Sequence, residues 1–308
     1  MNILRDRGIQ FAVAAATISG LSVFLNKFAL EIIKPPILFT STKNFIVGLM
    51  VMLILLLTGK WRGIFSLTRK EVSLLLAISI IGGSIPFYLF FTGLSQVAAA
   101  NSALIQKTLI FLVILLAFPL LKERLTKLQF LGICLVFIAN FTIGGLVRFD
   151  FSSGEVMILM ATILWSVEYM IAKVTLKTVD LDLVVATRMF LGSVILMTAS
   201  FLTIPDPTVR ITSLTTSQLA WLMLTALILF AYVSTWYRAL KFAPVISVTA
   251  VLAGSTLVTN VLSAVFVTHV WTVYMLIQAV LIILGIGFIV FTSSLGQESA
   301  RKARIFLK

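Results

Sequence analysis

Long apolar runs alternate with short polar connectors along the whole chain. A helix that crosses a lipid bilayer needs about 20 predominantly apolar residues, and ten runs have this length. The longest connectors are 59–71 and 205–217. The pattern therefore predicts an all-α integral membrane protein with ten transmembrane helices, called spans 1 to 10, at residues 9–30, 37–58, 72–94, 100–121, 127–147, 154–174, 183–204, 218–240, 245–267 and 270–292.

The composition fits a lipid environment and leaves little room for catalysis. Hydrophobic residues make up 60% of the chain and charged residues 11%, whereas a soluble domain carries about 25% charged residues. Cys134 and His269 are the single cysteine and histidine, and the sequence has no phosphate-binding glycine loop or nucleophile elbow. These features predict a protein that is not an enzyme and that uses no cofactor and no metal.

The net charge of +13 comes from Lys and Arg residues that concentrate in alternate connectors. With the N-terminus inside, 16 of these residues fall on the inner side, 3 on the outer side and 5 within spans. Cytoplasmic connectors of membrane proteins carry such an excess. The distribution predicts a multi-pass protein of the cell membrane with both termini cytoplasmic. It also predicts membrane lipids, and no nucleic acid, as partners of the basic segments.

The two halves of the chain resemble each other. At a shift of 146 residues Gly8 meets Gly154 and Lys27 meets Lys173, and at a shift of 145 Lys43 meets Arg188. Each half holds five spans, and an odd number makes the second half enter the membrane from the opposite side. The sequence thus predicts two inverted five-helix repeats, at 1–148 and 149–294, followed by a basic cytoplasmic tail at 295–308.

Motifs in the first half resemble the EamA-type branch of the drug/metabolite transporter (DMT) superfamily. The segment that resembles the family runs from Tyr88 to Phe141. Within it, two segments are similar to the family's third-to-fourth helix corner and its fourth-to-fifth helix junction. They are Gly93-Leu94 through Ala98-Ala99-Ala100-Asn101, and Pro119 with Lys122-Glu123-Arg124-Leu125-Thr126 and Gly132.

The second half is less similar to the family pattern. Arg238-Ala239-Leu240 and Pro244 match it, but Thr268-His269 stands where the family has a Gly-Glu or Lys-Glu pair. The resemblance covers about residues 8–292. It implies a central cavity lined mainly by helices 1, 3, 4, 6, 8 and 9, with helices 5 and 10 at the periphery and sometimes at homodimer contacts. It also implies secondary transport or exchange of small metabolites without ATP.

Ionisable residues inside spans are candidates for function, because each costs roughly 2.5–3.5 kcal/mol there. The repeat pairs Lys27 with Lys173 and Lys43 with Arg188. These pairs are either two cationic gates of one cavity or side chains that reach toward the membrane surface. The candidates of this kind are Lys27, Lys43, Lys107, Glu168, Lys173 and Arg188.

Lys107 and Glu168 have no charged mate in the other repeat. Lys107 is predicted to anchor an anionic group and Glu168 to couple a proton to transport, and the alternative is an ion pair that neutralises both. Trp165, Glu168 and Tyr169 share one helical face. Their rings either bind an organic cation or another ring, or pack as ordinary buried aromatics.

Polar stripes and helix breakers complete the candidate site. Ser22 and Asn26 in span 1, Gln106 in span 4 and Asn260 in span 9 either line a cavity or join helices by hydrogen bonds. Breaks or bends are predicted where helix-breaking residues occur in spans 3, 4 and 9, namely at Gly82-Gly83 with Pro86, at Pro119 and at Pro244.

Taken together, these features predict a secondary transporter with a small-molecule substrate that works by alternating access. The five cations and one acid among these candidates favour an amino acid or another carboxylate-bearing solute. A lipid or amphiphile flippase or scramblase of the same fold is the alternative, and it requires a polar groove that opens sideways to the bilayer.

Overall fold

The computed structural model describes the backbone of residues 7–97, 99–123, 125–144 and 150–306. It describes their side chains except at 99, 100, 103, 141–144 and 293–306. Within these ranges every regular element is a helix, which confirms the all-α prediction. The α-helices are α1 (Arg7–Ile32), α2 (Pro36–Leu57), α3 (Arg69–Ile81), α4 (Ile85–Leu94), α5 (Ala99–Lys107), α6 (Leu109–Leu121), α7 (Lys127–Gly144), α8 (Ser153–Thr175), α9 (Leu181–Thr203), α10 (Pro207–Thr212), α11 (Thr216–Phe242), α12 (Val245–Ala253), α13 (Ser255–Ser263) and α14 (Val273–Phe306).

Nine helical segments of the described chain are long and apolar enough to cross a membrane, and each matches a predicted span. Span 5 is occupied by α7, in which Lys127–Asn140 forms a shorter apolar helix. The predicted count of ten is therefore approximate. The two long connectors contain short helices, a 3₁₀ turn at Lys60–Ser66 and α10. The backbone of the predicted tail continues α14 to Phe306, and its side chains lie outside the described residues.

Three spans are interrupted near their middles. Span 3 breaks between α3 and α4 at residues 82–84, as the paired glycines predict. Span 4 breaks at Thr108 and span 9 at Gly254, positions that correspond at the shift of 146 residues. The predicted breakers behave differently, because Pro119 lies inside α6 and Pro244 precedes the first residue of α12. Spans 4 and 9, which are equivalent in the two halves, are therefore both broken at positions where the sequence has no proline.

Equivalent helices of the two halves make equivalent packing contacts. α1 packs along α11, and α8, its equivalent, packs along α3 and α4. α2 packs on α9, and α7 packs on α14. A Cβ atom on Gly8 would lie 2.6 Å from Cβ of Ala243, and one on Gly154 would lie 2.5 Å from Cγ2 of Val97. Gly8 begins the first half and Gly154 the second, at opposite ends of the bundle. The halves thus form an inverted repeat.

Small residues permit the closest helix contacts. A Cβ atom on Gly132 of α7 would lie 2.6 Å from the carbonyl oxygen of Gly285 of α14, and the reverse distance is also 2.6 Å. Because lipid tails are as apolar as the side chains, helices in a membrane associate through such close backbone packing. The close contact between Gly132 and Gly285 joins α7 to α14 in this manner.

Candidate functional site

A buried ion pair lies where α8, α9 and α11 meet. Nε of Arg188 is 3.5 Å from Oε1 of Glu168, and the two side chains are 9% and 0% exposed. The hydroxyl of Tyr237 donates a 2.5 Å hydrogen bond to the same carboxylate oxygen. Oε2 of Glu168 accepts no hydrogen bond from the described residues. One carboxylate oxygen is therefore held by two partners, and the other is buried without a hydrogen-bond donor among the described residues.

The break in span 3 brings the first half to this pair. The carbonyl oxygen of Gly82 accepts hydrogen bonds from Nη2 of Arg188 at 3.1 Å and from Nε1 of Trp165 at 3.3 Å. A carbonyl in a continuous helix is occupied by the amide four residues later, so the break frees this oxygen. A side chain at position 82 would collide with Glu168. Glycine is thus required by the close approach of α8.

The aromatic face predicted around Glu168 is buried among other rings. Trp165 packs edge-on against Phe87, with ring centroids 5.4 Å apart. Tyr169 packs against Trp236 at 4.7 Å. Trp165 and Tyr169 are both buried. In this conformation the two rings form part of the protein interior, as the packing interpretation predicts, and do not face an open cavity.

A second polar cluster lies between α1 and α2. Nζ of Lys43 donates a 3.1 Å hydrogen bond to Oδ1 of Asn26, and Nδ2 of Asn26 donates to Oγ of Ser22 at 3.2 Å. The ammonium also lies 4.6 Å from the centroid of the Phe39 ring. Lys43 is 5% exposed, whereas Ser22 and Asn26 are half-buried. The sequence placed Lys43 on span 2 and the stripe of Ser22 and Asn26 on span 1, and the structure brings them together.

Lys107 does not pair with Glu168, so that alternative is wrong. Arg188 occupies the position beside the carboxylate, and Lys107 forms no ion pair within the described part of the chain. Lys107 is the last residue of α5, directly before the break at Thr108, and is half-buried. The neighbouring Gln106 is exposed.

The stripe in span 9 joins helices by hydrogen bonds. Nδ2 of Asn260 donates to Oε1 of Gln278 at 2.6 Å, which links α13 to α14. Thr259 donates to the carbonyl of Gly20 in α1 at 2.9 Å. These contacts support the packing interpretation for the α13 stripe, and Asn260 is occupied by its own partner.

Charged side chains close the corner between α11 and α12. Nζ of Lys173 donates to the carbonyls of Leu240 and Ala243 at 2.5 and 2.6 Å. The carboxylate of Glu123 accepts from the backbone amides of Val245 at 2.9 Å and Ile246 at 3.2 Å. A cation at a helix C-terminus and an anion at an N-terminus are both favourable. Lys173 thus caps a helix end, while Lys27 is exposed.

An ion cluster lies at one end of the bundle, near the start of α9. Lys60 donates a hydrogen bond to Asp182, and Asp180 and Arg238 lie close by. The hydrogen bond to Asp182 raises the pKa of the Lys60 ammonium above its ordinary value. The cluster fastens the connector after α2 to the connector before α9.

A cavity of about 470 Å³ lies at the opposite end of the bundle from this cluster, and none of the described site candidates lines it. Two exposed cations, Lys34 and Arg210, stand at its wall beside Tyr88 and Thr92. The two polar clusters therefore do not line this cavity.

Sequence reasoning missed Tyr237, Glu123 and the carbonyl of Gly82 as parts of these arrangements. Tyr237 lies in an apolar helix, and no pattern of polar residues in that segment distinguishes it. Glu123 belongs to a quoted motif, but its target lies more than a hundred residues away along the chain. The paired glycines were the available signal for the freed carbonyl.

Two bundles of inverted topology make up the fold, and the buried ion pair of the second half contacts the first half through Gly82. A family model described as the EamA-like transporter family matches residues 6–145 and again 152–291. The chain therefore belongs to the EamA-like transporter family, within the drug/metabolite transporter superfamily. It is a multi-pass membrane protein of this family.

Individual relatives agree with this assignment. An uncharacterized transporter of Methanothermobacter thermautotrophicus is 26% identical over 137 residues, 42% of this chain and 39% of the relative. The uncharacterized transporter YetK of Bacillus subtilis is 30% identical over 134 residues, 43% of this chain and 40% of the relative. The matched segments thus span about two fifths of these curated relatives. A protein crystal structure with 17% identity shares the fold, with a TM-score of 0.75 over 93% of this chain and 97% of its own.

Proposed function

We propose that this protein is a secondary transporter that moves a small carboxylate-bearing metabolite, such as an amino acid, by alternating access and without ATP. The observation that carries the mechanism is the ion pair of Glu168 and Arg188. It belongs to the second half but bonds through Arg188 to Gly82 in the first half. Rocking of one half against the other would change the surroundings of this pair, which is the motion that alternating access requires.

Glu168 is the proposed coupling residue. Its Oε1 is held by Arg188 and Tyr237, and its Oε2 has no hydrogen-bond donor among the described residues. A proton that arrives at Oε2 would neutralise the carboxylate and weaken its attraction for Arg188. The ion pair could then separate as the halves move. The excess of cations over acids in the spans supports a substrate that brings negative charge.

Uptake into proteoliposomes tests this function. Labelled L-leucine, L-threonine and succinate are offered with and without an inward proton gradient, and Glu168→Gln is compared with wild type. We expect saturable, ATP-independent uptake by the wild type. The Glu168→Gln variant should lose accumulation driven by the gradient and retain exchange. Glu31→Gln, which removes an exposed carboxylate from α1, should behave like wild type.

Two results would count against the proposal. Gradient-driven accumulation that is the same in Glu168→Gln and wild type would remove Glu168 from coupling. Absence of uptake for every carboxylate probe would refute the proposed substrate class.

A lipid or amphiphile flippase is the second candidate. The cavity beside Lys34 and Arg210 favours it, because two exposed cations at a bundle end can hold a headgroup phosphate. Bleaching of fluorescent phospholipid in the outer leaflet of proteoliposomes separates the candidates. Transbilayer movement of lipid at a rate above empty vesicles, lost on Lys34→Ala with Arg210→Ala, would support the flippase.

We further propose that the protein lies in the cell membrane with both termini in the cytoplasm, and that it forms homodimers. The distribution of Lys and Arg supports the orientation. Reporter fusions at the two termini test it, since both fusions should be active only as cytoplasmic reporters. Cross-linking in the membrane followed by size analysis tests the homodimer.

A further inference from the structure

Two basic residues at equivalent positions of the repeats have partners of different charge. Lys43 in α2 and Arg188 in α9 each reach the preceding long helix of their own half. Arg188 meets the carboxylate of Glu168 there, at 3.5 Å. Lys43 meets the carboxamide of Asn26, at 3.1 Å. The two halves therefore repeat one arrangement, but only the second half supplies a neutralising acid.

The sequence explains why the first half lacks this acid. The residue equivalent to Glu168, 146 positions earlier, is Ser22. The helix equivalent to the broken α3–α4 pair is α11, which is continuous and frees no carbonyl. Lys43 consequently has neither the carboxylate nor the backbone oxygen that Arg188 has, and no described acid forms an ion pair with it.

A buried ammonium in this situation is a strong binding group for an anion. Burial of a charge without a counter-charge is unfavourable, so a ligand that supplies the opposite charge relieves this cost. An ammonium has three N–H donors, and Asn26 accepts one of them. The second N–H of the Asn26 carboxamide and the Ser22 hydroxyl are additional donors. Together they match the two oxygens of one carboxylate.

We propose that Lys43 and Asn26 bind the carboxylate of the transported solute, which occupies in the first half the place that Glu168 occupies in the second. The assignment rests on the proposed function for the nature of the solute. Ser22 and Asn26 are half-buried, so the solute approaches the ammonium from the side of α1. The Phe39 ring closes another side of the ammonium.

Ligand-induced thermal stabilisation of the purified full chain tests the site. The probes are L-leucine, L-phenylalanine and succinate, each paired with its carboxamide, which has no negative charge. A ligand that binds the folded state raises its melting temperature. We expect the carboxylates, but not the carboxamides, to raise the melting temperature of wild type. Lys43→Gln should weaken the apparent affinity by about 30-fold or more, because the buried charge is lost.

The repeat supplies a second, independent variant. Ser22→Glu recreates in the first half the acid that the second half contains, so the new carboxylate should neutralise Lys43 and exclude the ligand. The matched comparison is Ser22→Gln, which has the same size without the charge, and Ser22→Glu should bind carboxylates far more weakly than Ser22→Gln. Lys27→Gln removes an exposed lysine from the same helix and should keep the wild-type response.

Each outcome decides the assignment. Equal stabilisation of wild type and Lys43→Gln overturns it, as does equal stabilisation of Ser22→Glu and Ser22→Gln, or no stabilisation of wild type by any carboxylate. If one variant does not fold, the other decides. Uptake of carboxylates that is unaffected by Lys43→Gln would refute the site and leave the proposed function standing. Binding that depends on Lys43 without any uptake would refute the proposed function and leave the site standing.

Discussion

The hydroxyl of Tyr237 donates a 2.5 Å hydrogen bond to Oε1 of Glu168, a residue 69 positions earlier in the chain. The same oxygen faces Nε of Arg188. A carboxylate that is fully buried in a membrane protein needs such donors, because the lipid provides none. Tyr237 and Arg188 together keep Glu168 in the interior.

Tyr237→Phe should destabilise the protein by about 1.5–3 kcal/mol, because it removes a hydrogen bond to a charged group and leaves the ring in place. The matched control is Tyr274→Phe, at a tyrosine that is 64% exposed. Chemical denaturation in detergent measures both. Equal stability of the two variants would show that the hydrogen bond contributes nothing.

Removal of the Arg188 cation should lower the free energy of unfolding more than removal of the Tyr237 hydroxyl. Arg188→Ala leaves the Glu168 carboxylate buried without its counter-charge, which lowers the free energy of unfolding by about 3–5 kcal/mol. The double variant with Glu168→Ala should recover part of this loss, because the unpaired charge is then gone. Denaturation of the two single variants and the double variant forms a thermodynamic cycle. Additive effects would indicate that the two charges do not interact.

Two glycines of α14 should respond differently to the same substitution. Gly285→Ala places a methyl group 2.6 Å from the carbonyl of Gly132, so α7 and α14 must separate and the protein is destabilised by about 1–3 kcal/mol. Gly287→Ala meets no atom within 4 Å and should be neutral or slightly stabilising, because alanine favours helix. Melting temperatures of the two variants measure the difference. A similar loss in both would refute the close contact.

Glu123→Ala should loosen the start of α12. The carboxylate caps the amides of Val245 and Ile246, and removal of an N-cap costs about 0.5–2 kcal/mol. Hydrogen exchange at these two amides should become faster, while the rest of the bundle is unchanged. Glu31→Ala, at an exposed position, serves as the control. Unchanged protection of both amides in Glu123→Ala would show that the cap does not hold the helix.

Part of the site was predictable from the sequence. The intramembrane charges Glu168, Arg188 and Lys43 stand out because charge is rare in apolar spans, and the repeat relates Lys43 to Arg188. The partner of Glu168 was not predictable, since Lys107 and Arg188 were both available cations. The choice depends on how α8 and α9 face each other, and on the break at Gly82 that gives Arg188 a second acceptor.

The sequence by itself determined the helical class, the spans and the division into two halves. A chain in lipid must satisfy its backbone within each crossing helix and match the bilayer thickness, and both demands appear as local patterns of apolar residues. Only the tertiary structure decided that Glu168 meets Arg188 and Tyr237, and that Lys43 meets Asn26. These contacts depend on the rotation and depth of each helix against its neighbours, which close packing between distant segments sets and no local pattern records.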